Sequence, residues 1–351
     1  MKLLTVVGAR PQFIKAAAVS RVLREHSEIQ EQIVHTGQHY DANMSSVFFE
    51  QMSIPQPTHN LGVSGLSHGA MTGQMLTELE SVFATEKPDR VLVYGDTNST
   101  LAAALAASKL HIPLAHVEAG LRSHNIRMPE EVNRIVTDRL SDLLFCPTQA
   151  AIHNLTQEGF EHFDTSVELV GDVMQDAAMF YASKSVLPQA IELPENFILA
   201  TVHRAENTDD ETRLHSIVDA LNRVHNTVHS IVLPLHPRTA QCIEQAGLML
   251  DVMTIEPVGY LEMIALIQGA QLVMTDSGGL QKEAYFFETP CVTLRDETEW
   301  VELIESGANV LAGADIDVIE SSVRQMLNVD VVDSGMYGNG QACERIVASL
   351  R

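Results

Sequence analysis

The chain has 351 residues, 45% of them hydrophobic and 19% charged, which suits a soluble protein of two ordinary-sized domains. It carries 22 Lys and Arg against 46 Asp and Glu, a formal net charge of −24. This acidity argues against nucleic acid or an anionic membrane as a partner, since either requires a basic surface. No apolar run is long enough to span a membrane, the N-terminal run is too short for a signal peptide, and the four cysteines are widely spaced. We therefore expect a cytoplasmic protein with reduced thiols.

Strand-like and helix-like segments alternate along the chain, which is the pattern of βαβ units with parallel sheets. Apolar runs predict strands at 3–7, 32–35, 90–94, 113–117, 143–146 and 167–170, and then at 197–202, 230–235, 252–255, 271–275, 291–294 and 309–311. Helices are predicted between them, for example at 12–25 and 69–84, and again at 341–350. A two-proline stretch, 183–194, predicts a linker. The prediction is an α/β fold of two Rossmann-like, doubly wound parallel-sheet domains with an interdomain cleft, where ligands bind beyond the carboxyl ends of the strands.

The segment 272–284 has the pattern of an anion-binding turn between a strand and a helix. A buried strand, 272–275, ends in Asp276-Ser277-Gly278-Gly279 and passes into a helical pattern. Glycines at this point let a phosphate approach the backbone, and the free N–H groups and dipole of the helix stabilise its charge. Glu283 shares the helix face of Gly279 one turn further on, where its carboxylate could accept hydrogen bonds from ribose hydroxyls. The alternative is an ordinary glycine-rich helix start.

The turn after the first strand reads Gly8-Ala-Arg-Pro-Gln-Phe-Ile-Lys15. It lacks the G-x-G-x-x-G dinucleotide fingerprint, so a nicotinamide or flavin cofactor loses its main support. Arg10 and Lys15 could face a diphosphate from this turn. The alternative is a surface arginine and a solvated lysine.

Carboxylates follow two later strands. Asp96 comes after the third strand, where it could also cap the next helix, and Glu118 follows the fourth, where an unused charge is costly. Pro129 suits the first position of a helix, and this places Glu130 and Arg134 on one helix face at i, i+4. A surface ion pair is the alternative interpretation of those last two residues.

In the second half, His203 and Arg204 follow the first strand, and His236 follows the next. Three carboxylates on one side of the cleft and a histidine on the other suit proton chemistry beside a phosphate-bearing leaving group. The competing use of such residues is a zinc site, although they lack the tight i, i+4 or C-x-x-C spacing of metal motifs. The candidate zinc ligands are His111, His116, Glu118 and His124.

The chain resembles the non-hydrolysing UDP-N-acetylglucosamine 2-epimerases over nearly its whole length, because seven of their motifs occur here in the family order. They are Gly8-Ala-Arg-Pro-Gln, Thr36-Gly-Gln-His, Gly95-Asp-Thr, His116-Val-Glu-Ala-Gly-Leu-Arg, Pro129-Glu-Glu-Val-Asn-Arg, His203-Arg and Asp276-Ser-Gly-Gly-Leu-Gln-Lys-Glu. The resemblance implies a fold like that of the two-Rossmann-domain, B-type glycosyltransferases, with UDP in the cleft and the C-terminal helix crossing back to the first domain. The domains would be 1–170 with 340–351, carrying the acid–base residues, and 171–339, binding UDP. It also implies inversion at C2 of an N-acetylhexosamine without metal or other cofactor, usually in a homodimer.

The chemistry that the resemblance implies is elimination followed by readdition. The C2 proton is not acidic, so a carboxylate takes it as the C1–O bond to UDP breaks, which leaves a 2-acetamidoglucal. UDP then adds back with protonation from the other face, so two acid–base groups are required, each typically contributing ~10²–10⁴-fold. By motif match the catalytic residues are Asp96, Glu118, Glu130, Arg134, which would orient Glu130, and His203. The residues matched to UDP or substrate binding are Arg10, Lys15, His236, Met263, Ser277, Gly278, Gly279 and Glu283, and those matched to loops implicated in activation by substrate at a second site are Gln38, His39 and Arg204.

Two departures from the family pattern bear on the sugar. Arg127-Met128-Pro129 stands where members acting on plain UDP-N-acetylglucosamine commonly have an aromatic residue before the proline, and Arg295-Asp-Glu-Thr-Glu-Trp300 stands where many have Thr-Glu-Arg-Pro. Both are similar to the branch acting on UDP-2,3-diacetamido-glucuronate in O-antigen synthesis. Arg127 could pair with a C6 carboxylate, and simple solvent exposure of this arginine is the alternative.

The function predicted first is therefore interconversion of UDP-GlcNAc and UDP-ManNAc for surface polysaccharide synthesis, with the diacetamido-glucuronate reaction as the alternative. A glycosyltransferase of the same architecture would also bind a UDP-sugar, but it would need an acceptor groove. A hydrolysing epimerase would release free sugar and UDP. A non-catalytic sensor of nucleotide sugars would bind without isotope exchange.

Overall fold

The computed structural model describes residues 1–38, 54–188 and 191–351. These residues form two compact units, here called unit 1 (1–177 with 335–351) and unit 2 (178–334). The boundary at 177/178 falls inside the helix Val173–Ala182, so no change in the sequence pattern marks it. The domain limits predicted from the sequence, 170/171 and 339/340, lie a few residues away from these.

Unit 1 is built on a parallel sheet with the strand order β3-β2-β1-β4-β5-β6-β7 in the described part of the chain. The strands are β1 Lys2–Val7, β2 Gln30–His35, β3 His59–Asn60, β4 Arg90–Tyr94, β5 Leu114–Val117, β6 Leu143–Cys146 and β7 Ser166–Leu169. The helices are Arg10–Leu23, His68–Glu86, Asn98–Lys109, Pro129–Leu140, Gln149–Gln157, the start of Val173–Ala182, and Ala342–Ser349, with a 3₁₀ turn at Phe160–His162.

Unit 2 repeats the design with a parallel sheet in the order β10-β9-β8-β11-β12-β13. Its strands are β8 Ile198–Thr201, β9 Ile231–Pro234, β10 Met253–Ile255, β11 Leu272–Thr275, β12 Cys291–Thr293 and β13 Asn309–Leu311. Its helices are Ala205–Thr208, Glu211–Thr227, Pro237–Gln245, Tyr260–Gly269, Gly278–Phe286, Val301–Glu305 and Ile316–Met326. The two parallel sheets confirm the predicted α/β class.

The strands are buried on both faces because helices cover a parallel sheet from both sides. In β4 the residues Val91 to Tyr94 are all fully buried. The helix Asn98–Lys109 packs close to this sheet, since its alanines at 102, 103, 104, 106 and 107 are fully buried and leave little distance between backbones. The helix Ala342–Ser349 belongs to unit 1, where the Cys343 amide donates to Asp176 Oδ2 at 2.7 Å.

The predicted strands match the observed ones to within two residues at their ends, apart from β3. That strand has two residues, too few for any periodic pattern, and it pairs with the end of β2. Cys146, Cys242, Cys291 and Cys343 are free thiols. None of the helices in the described part of the chain is long and apolar enough to cross a membrane.

Candidate active site

Each sheet has one position where the strand order reverses, and this position is where open α/β sheets bind ligands. In unit 1 it lies between β1 and β4, and in unit 2 between β8 and β11. The loops that leave these strands at their carboxyl ends carry most of the candidate residues. The two sets of residues belong to different units.

The turn after β1 is held by Gln12, a residue that sequence analysis did not select. Its Oε1 accepts hydrogen bonds from the Gly8 and Ala9 amides at 2.8 and 3.0 Å, and its Nε2 donates to the Tyr94 carbonyl at 2.8 Å. The side chain therefore ties the end of β1 to the end of β4. Arg10 begins the helix Arg10–Leu23, and its side chain lies outside the described part of the structure.

Glu118 follows β5 and forms an ion pair with Lys15. The side chains are 8% and 9% exposed, respectively. Glu118 has φ +70°, in the left-handed region that side-chain-bearing residues seldom adopt. The structure thus brings together one residue predicted to be catalytic and one predicted to contact a diphosphate, and the ammonium stabilises the charged carboxylate.

Asp96 follows β4 and is bound by Arg134 of the helix Pro129–Leu140. Arg134 Nη2 donates to Asp96 Oδ2 at 2.5 Å, and Nη1 donates to Glu131 Oε2 at 2.9 Å. Asn133 Nδ2 also donates to the Asp96 carbonyl at 2.8 Å. Asp96 is therefore fixed through both its side chain and its backbone, and its side chain stays one-third exposed.

The two neighbouring glutamates of this helix have opposite environments. Glu131 is 2% exposed, and it accepts hydrogen bonds from the Ser123 and His124 amides at 2.9 Å each as well as from Arg134. Glu130, the residue predicted to be catalytic, is exposed. The predicted orientation of Glu130 by Arg134 stays a prediction, since the two carboxylates that the guanidinium is seen to bind are Asp96 and Glu131.

The remaining unit 1 candidates lie near these loops or on the surface. Gln38 Oε1 accepts from the Ser99 amide at 3.1 Å and from its hydroxyl at 2.8 Å, beside the start of the helix Asn98–Lys109. His39 lies outside the described residues. Arg127 is exposed, as the alternative interpretation of it requires. The roles of Gln38 and His39 in activation by substrate stay predictions.

The zinc alternative meets an arrangement that uses His116 differently. Its Nδ1 lies 2.7 Å from Asp138 Oδ1 and its Nε2 lies 2.7 Å from the Gly95 carbonyl, so both ring nitrogens have protein partners. His111 and His124 are exposed. Among the described residues, no group of three or more His, Cys, Asp or Glu side chains is arranged to hold a metal ion.

In unit 2, Asp276 organises the loop that follows β8. This fully buried carboxylate accepts hydrogen bonds from the amides of His203 (3.0 Å) and Arg204 (3.0 Å) and from Asn207 Nδ2 (3.1 Å). His203 Nδ1 is 3.3 Å from Asp276 Oδ1, and the histidine side chain is about half exposed at 48%. Asp276 belongs to one of the motifs given above. Its role of holding the loop after β8 was not predicted, because that loop lies 73 positions earlier in the chain.

The helix Gly278–Phe286 begins as the glycine-rich pattern indicates. Ser277 is its N-cap and accepts from the Leu280 amide at 3.4 Å. A Cβ on Gly278 would lie 2.4 Å from Glu299 Oε1 and would displace this carboxylate, which binds Arg295, whereas a Cβ on Gly279 would meet nothing closer than 4.0 Å. Glu283 is on this helix and 6% exposed. The first helical turn thus has the form expected of an anion-binding helix start, and its role in binding a phosphate stays a prediction.

A buried arginine beside this helix start was not predicted as a site residue. Arg295 is 1% exposed, its Nη1 donates to Glu299 Oε2 at 3.0 Å, and its Nε is 3.4 Å from Glu206 Oε1. Next to it, Lys282 Nζ lies 3.8 Å from the centroid of the Trp300 ring. The sequence did contain an indication of this arginine, namely the stretch 295–300 that departs from the family pattern. A run of charged residues after a buried strand is costly unless the charges are paired.

The last two UDP-binding candidates lie at helix starts in unit 2. His236 is exposed and caps the helix Pro237–Gln245, its Nδ1 accepting from the Arg238 amide at 3.2 Å. Met263 is partly buried in the helix Tyr260–Gly269 and packs against the core. These positions do not test whether His236 and Met263 bind UDP, so both roles stay predictions.

Ion-paired carboxylates follow β4 and β5 beside the switch point of one parallel sheet, and a glycine-initiated helix begins at the switch point of the other, which is the arrangement expected of an α/β enzyme with an anionic ligand. The family model described as UDP-N-acetylglucosamine 2-epimerase matches residues 21–351. The UDP-2,3-diacetamido-2,3-dideoxy-D-glucuronate 2-epimerase of Pseudomonas aeruginosa is 60% identical, over 100% of this chain and 99% of that protein. A UDP-N-acetylglucosamine 2-epimerase homolog of Methanococcus maripaludis is 46% identical, over 100% of this chain and 99% of that protein.

A solved structure agrees with these matches. The Methanocaldococcus jannaschii UDP-GlcNAc 2-epimerase, in complex with UDP-GlcNAc and UDP, has a TM-score of 0.92 and 41% identity, covering 100% of this chain and 99% of that one. The chain belongs to the UDP-N-acetylglucosamine 2-epimerase family, as its motifs predicted. It is therefore a member of a family of isomerases.

Proposed function

We propose that this chain is a non-hydrolysing UDP-sugar 2-epimerase whose substrate is UDP-2,3-diacetamido-2,3-dideoxy-glucuronate. The observation that carries the choice of sugar is the 60% full-length identity to the P. aeruginosa enzyme of that name, against 46% and 41% to relatives named for UDP-N-acetylglucosamine. Interconversion of UDP-GlcNAc and UDP-ManNAc, the function predicted first from the sequence, is the second candidate, and those two relatives favour it.

Asp96 and Glu118 supply the acid–base chemistry in this proposal, with Glu130 as a third carboxylate. They follow the neighbouring strands β4 and β5 at one edge of the sheet, and cations hold the first two in place. A carboxylate that is already held loses little further freedom on reaching the reactive geometry. One carboxylate takes the C2 proton, the C2–H electron pair becomes the C1=C2 double bond, and the C1–O pair leaves with UDP. Readdition with protonation from the opposite face then inverts C2.

The UDP leaving group is assigned to unit 2. The amides of Gly278 and Gly279 and the dipole of their helix stabilise the diphosphate charge that grows as C1–O breaks. His203, whose backbone is fixed by Asp276, provides a half-exposed imidazole at the same end of this sheet. The further residues assigned to UDP or the diphosphate are Arg10, Lys15, His236, Met263, Ser277 and Glu283.

Arg127 is the residue proposed to select the uronate. Its side chain is exposed at the end of the loop that precedes the helix Pro129–Leu140. A guanidinium binds a carboxylate with charge-assisted, often bidentate hydrogen bonds that a neutral CH₂OH group cannot replace. Arg127→Ala should therefore lower kcat/KM for the uronate sugar by about tenfold or more and leave the neutral sugar little changed. Arg324→Ala, an exposed arginine of unit 2, is the matched control.

Proton NMR in D₂O with each UDP-sugar tests the proposal. Loss of the C2 proton signal together with a new anomeric signal of a UDP-linked product is the expected result. Product that retains protium at C2 would reject the elimination mechanism. Free sugar plus UDP would indicate a hydrolysing epimerase, and turnover only with an added acceptor would indicate a glycosyltransferase. Faster turnover of UDP-GlcNAc than of the uronate would give the second candidate preference.

We also propose that the enzyme is a homodimer and works in the cytoplasm. The dimer rests on the family resemblance, and the cytoplasmic location rests on the widely spaced cysteines and on the short N-terminal apolar run of the sequence. Light scattering during gel filtration measures the oligomeric state directly, and a mass of one chain, 38.5 kDa, would reject the dimer.

A further inference from the structure

Asp138 lies at the centre of a buried cluster of charged side chains in unit 1. Its Oδ1 is 2.7 Å from His116 Nδ1, and its Oδ2 accepts from the Gly120 amide at 3.1 Å and from Arg122 Nη1 at 2.7 Å. Burial opposes ionisation of this carboxyl, but the hydrogen bonds and positive charges of His116 and Arg122 outweigh it and lower its pKa. Asp138 is therefore ionised at neutral pH.

His116 extends this cluster to the loop that carries Asp96. Its Nε2 is 2.7 Å from the Gly95 carbonyl, and a carbonyl oxygen can only accept, so this nitrogen carries a hydrogen. Its Nδ1 faces an ionised carboxylate oxygen, which also only accepts. Both ring nitrogens therefore face acceptor atoms, and the fully buried ring links two groups that belong to different segments of the chain.

The turn after β5 needs such support because its backbone is strained. Glu118 has φ +70°, in the left-handed region that is unfavourable for a residue with a side chain. Gly120 follows at φ +79°, and a Cβ there would lie 2.6 Å from the Ala151 carbonyl oxygen. The Glu118 and Ala119 amides donate to the Phe145 carbonyl at 3.1 Å, and the Gly120 amide donates to Asp138. Strain of this kind persists only where the surrounding contacts hold the backbone in place, and it is concentrated at active sites.

We propose that Asp138 is a positioning residue of the epimerase reaction. Through His116 it fixes the Gly95–Asp96 turn, and through the Gly120 amide it fixes the strained turn of Glu118, so that the two carboxylates keep one separation during proton transfer. The proposal rests on the proposed function, because it takes Asp96 and Glu118 as acid–base groups. Asp138 acts through other residues and is given no contact with the sugar.

Asp142 offers a matched control at the opposite end of the same strand. Its carboxylate accepts from the Leu114 amide at 2.6 Å, where β5 begins, and from Arg90 Nη1 at 3.0 Å. Asp142 thus resembles Asp138 in binding one backbone amide and one arginine in unit 1, but its amide lies at the start of β5 and that of Asp138 lies beyond the end of β5. Its removal should cost stability without disturbing the carboxyl end of β5.

The test compares wild type, Asp138→Asn and Asp142→Asn by kcat, KM, deuterium incorporation at C2, the dissociation constant for UDP and the unfolding midpoint. Asp138→Asn should lower kcat and deuterium incorporation by about 100-fold while UDP affinity is unchanged, because a misplacement near 1 Å has that effect on rate. Asp142→Asn should keep the wild-type kcat. A kcat for Asp138→Asn equal to wild type, or a loss of kcat matched by an equal loss of UDP affinity, overturns the positioning role.

Two His116 variants keep the test decisive if Asp138→Asn does not fold. In His116→Gln the amide takes the place of Nε2 and can still donate to the Gly95 carbonyl, but the bond to Asp138 is lost. In His116→Asn the amide takes the place of Nδ1, so the bond to Asp138 is kept and the bond to Gly95 is lost. Both should lower kcat more than they raise KM, and wild-type kcat in both overturns the proposal. Wild-type protein that incorporates no deuterium from either UDP-sugar instead rejects the proposed function itself.

Discussion

The Lys15 ammonium binds the Glu118 carboxylate in a nearly buried ion pair, although 103 residues separate them in the chain. A Cβ on Gly95 would lie 3.1 Å from Glu118 Oε2 and 3.4 Å from Lys15 Nζ, so the pair lies directly beside the turn that carries Asp96. Two candidate acid–base carboxylates and the counter-charge of one of them thus lie close together at the carboxyl ends of β4 and β5.

Glu118→Gln should reduce kcat by about 10²–10⁴-fold, the usual contribution of a general acid or base. Because the amide has nearly the shape of the carboxylate, and Lys15 and the UDP-binding residues proposed in unit 2 are themselves unchanged, UDP should bind at least as tightly as in wild type. Steady-state kinetics and calorimetric titration with UDP measure the two quantities. A near-normal rate would remove Glu118 from the mechanism.

The control for this variant is Glu86→Gln, which removes the carboxylate of another Lys–Glu pair in unit 1. Lys2 Nζ lies 2.5 Å from Glu86 Oε2 near the amino end of β1, far along the strand from the candidate site. Both side chains are partly exposed, so solvent screens the pair and it should contribute little to stability. Unchanged kcat in Glu86→Gln shows that loss of a Lys–Glu pair alone does not stop the reaction.

The adjacent Glu130 and Glu131 should give opposite results when each is replaced by Gln. Glu130→Gln should lower kcat by about 100-fold and keep the free energy of unfolding within about 0.5 kcal/mol, because the side chain is exposed. Glu131→Gln should lose about 1–3 kcal/mol of unfolding free energy, because this buried carboxylate binds two backbone amides and Arg134. Urea unfolding and kinetics on both variants decide it; a stable Glu131→Gln or an unstable Glu130→Gln contradicts the assignment.

Local sequence patterns predicted the strands and the loops at their carboxyl ends, because a few consecutive residues are enough to show a buried strand or a turn. Asp96 and Glu118 were found in this way, since each follows an apolar strand. The glycine pair at the start of Gly278–Phe286 was also found, because no other residue type marks such a turn.

The partners of those residues could not be found in the same way. Lys15 binds Glu118, and Arg134 binds Asp96, although many residues separate the partners in the chain. A short stretch of sequence does not show which strand ends lie next to each other in the sheet. Gln12 shows the same limit. Its sequence position predicts only a helix start, whereas its side chain binds the turn after β1 and the end of β4.

Asp176→Asn should stabilise the protein at neutral pH relative to wild type. Burial raises the pKa of the Asp176 carboxyl, partly offset by the hydrogen bond from the Cys343 amide, and Glu344 adds a smaller like-charge effect. Because the folded pKa lies above the unfolded value of about 3.9, the contribution of this group is fully present below that pH and is lost as pH rises through the folded pKa. Asn stays neutral and keeps an oxygen for Cys343. The variant's advantage in urea midpoint should therefore be absent near pH 4 and grow toward pH 7, and a constant difference would contradict it.

Gly278→Ala and Gly279→Ala should separate packing from anion binding at the start of the helix Gly278–Phe286. The Gly278 methyl would lie 2.4 Å from Glu299 Oε1, so this variant should lose about 1–3 kcal/mol of unfolding free energy as well as UDP affinity. The Gly279 methyl meets only Ser277 Oγ at 4.0 Å, so that variant should keep wild-type stability. If a phosphate approaches this backbone closely, Gly279→Ala should still weaken UDP binding by about tenfold, which is 1.4 kcal/mol. Unfolding in urea and calorimetric titration with UDP give both quantities, and wild-type UDP affinity in a stable Gly279→Ala protein would place the diphosphate elsewhere.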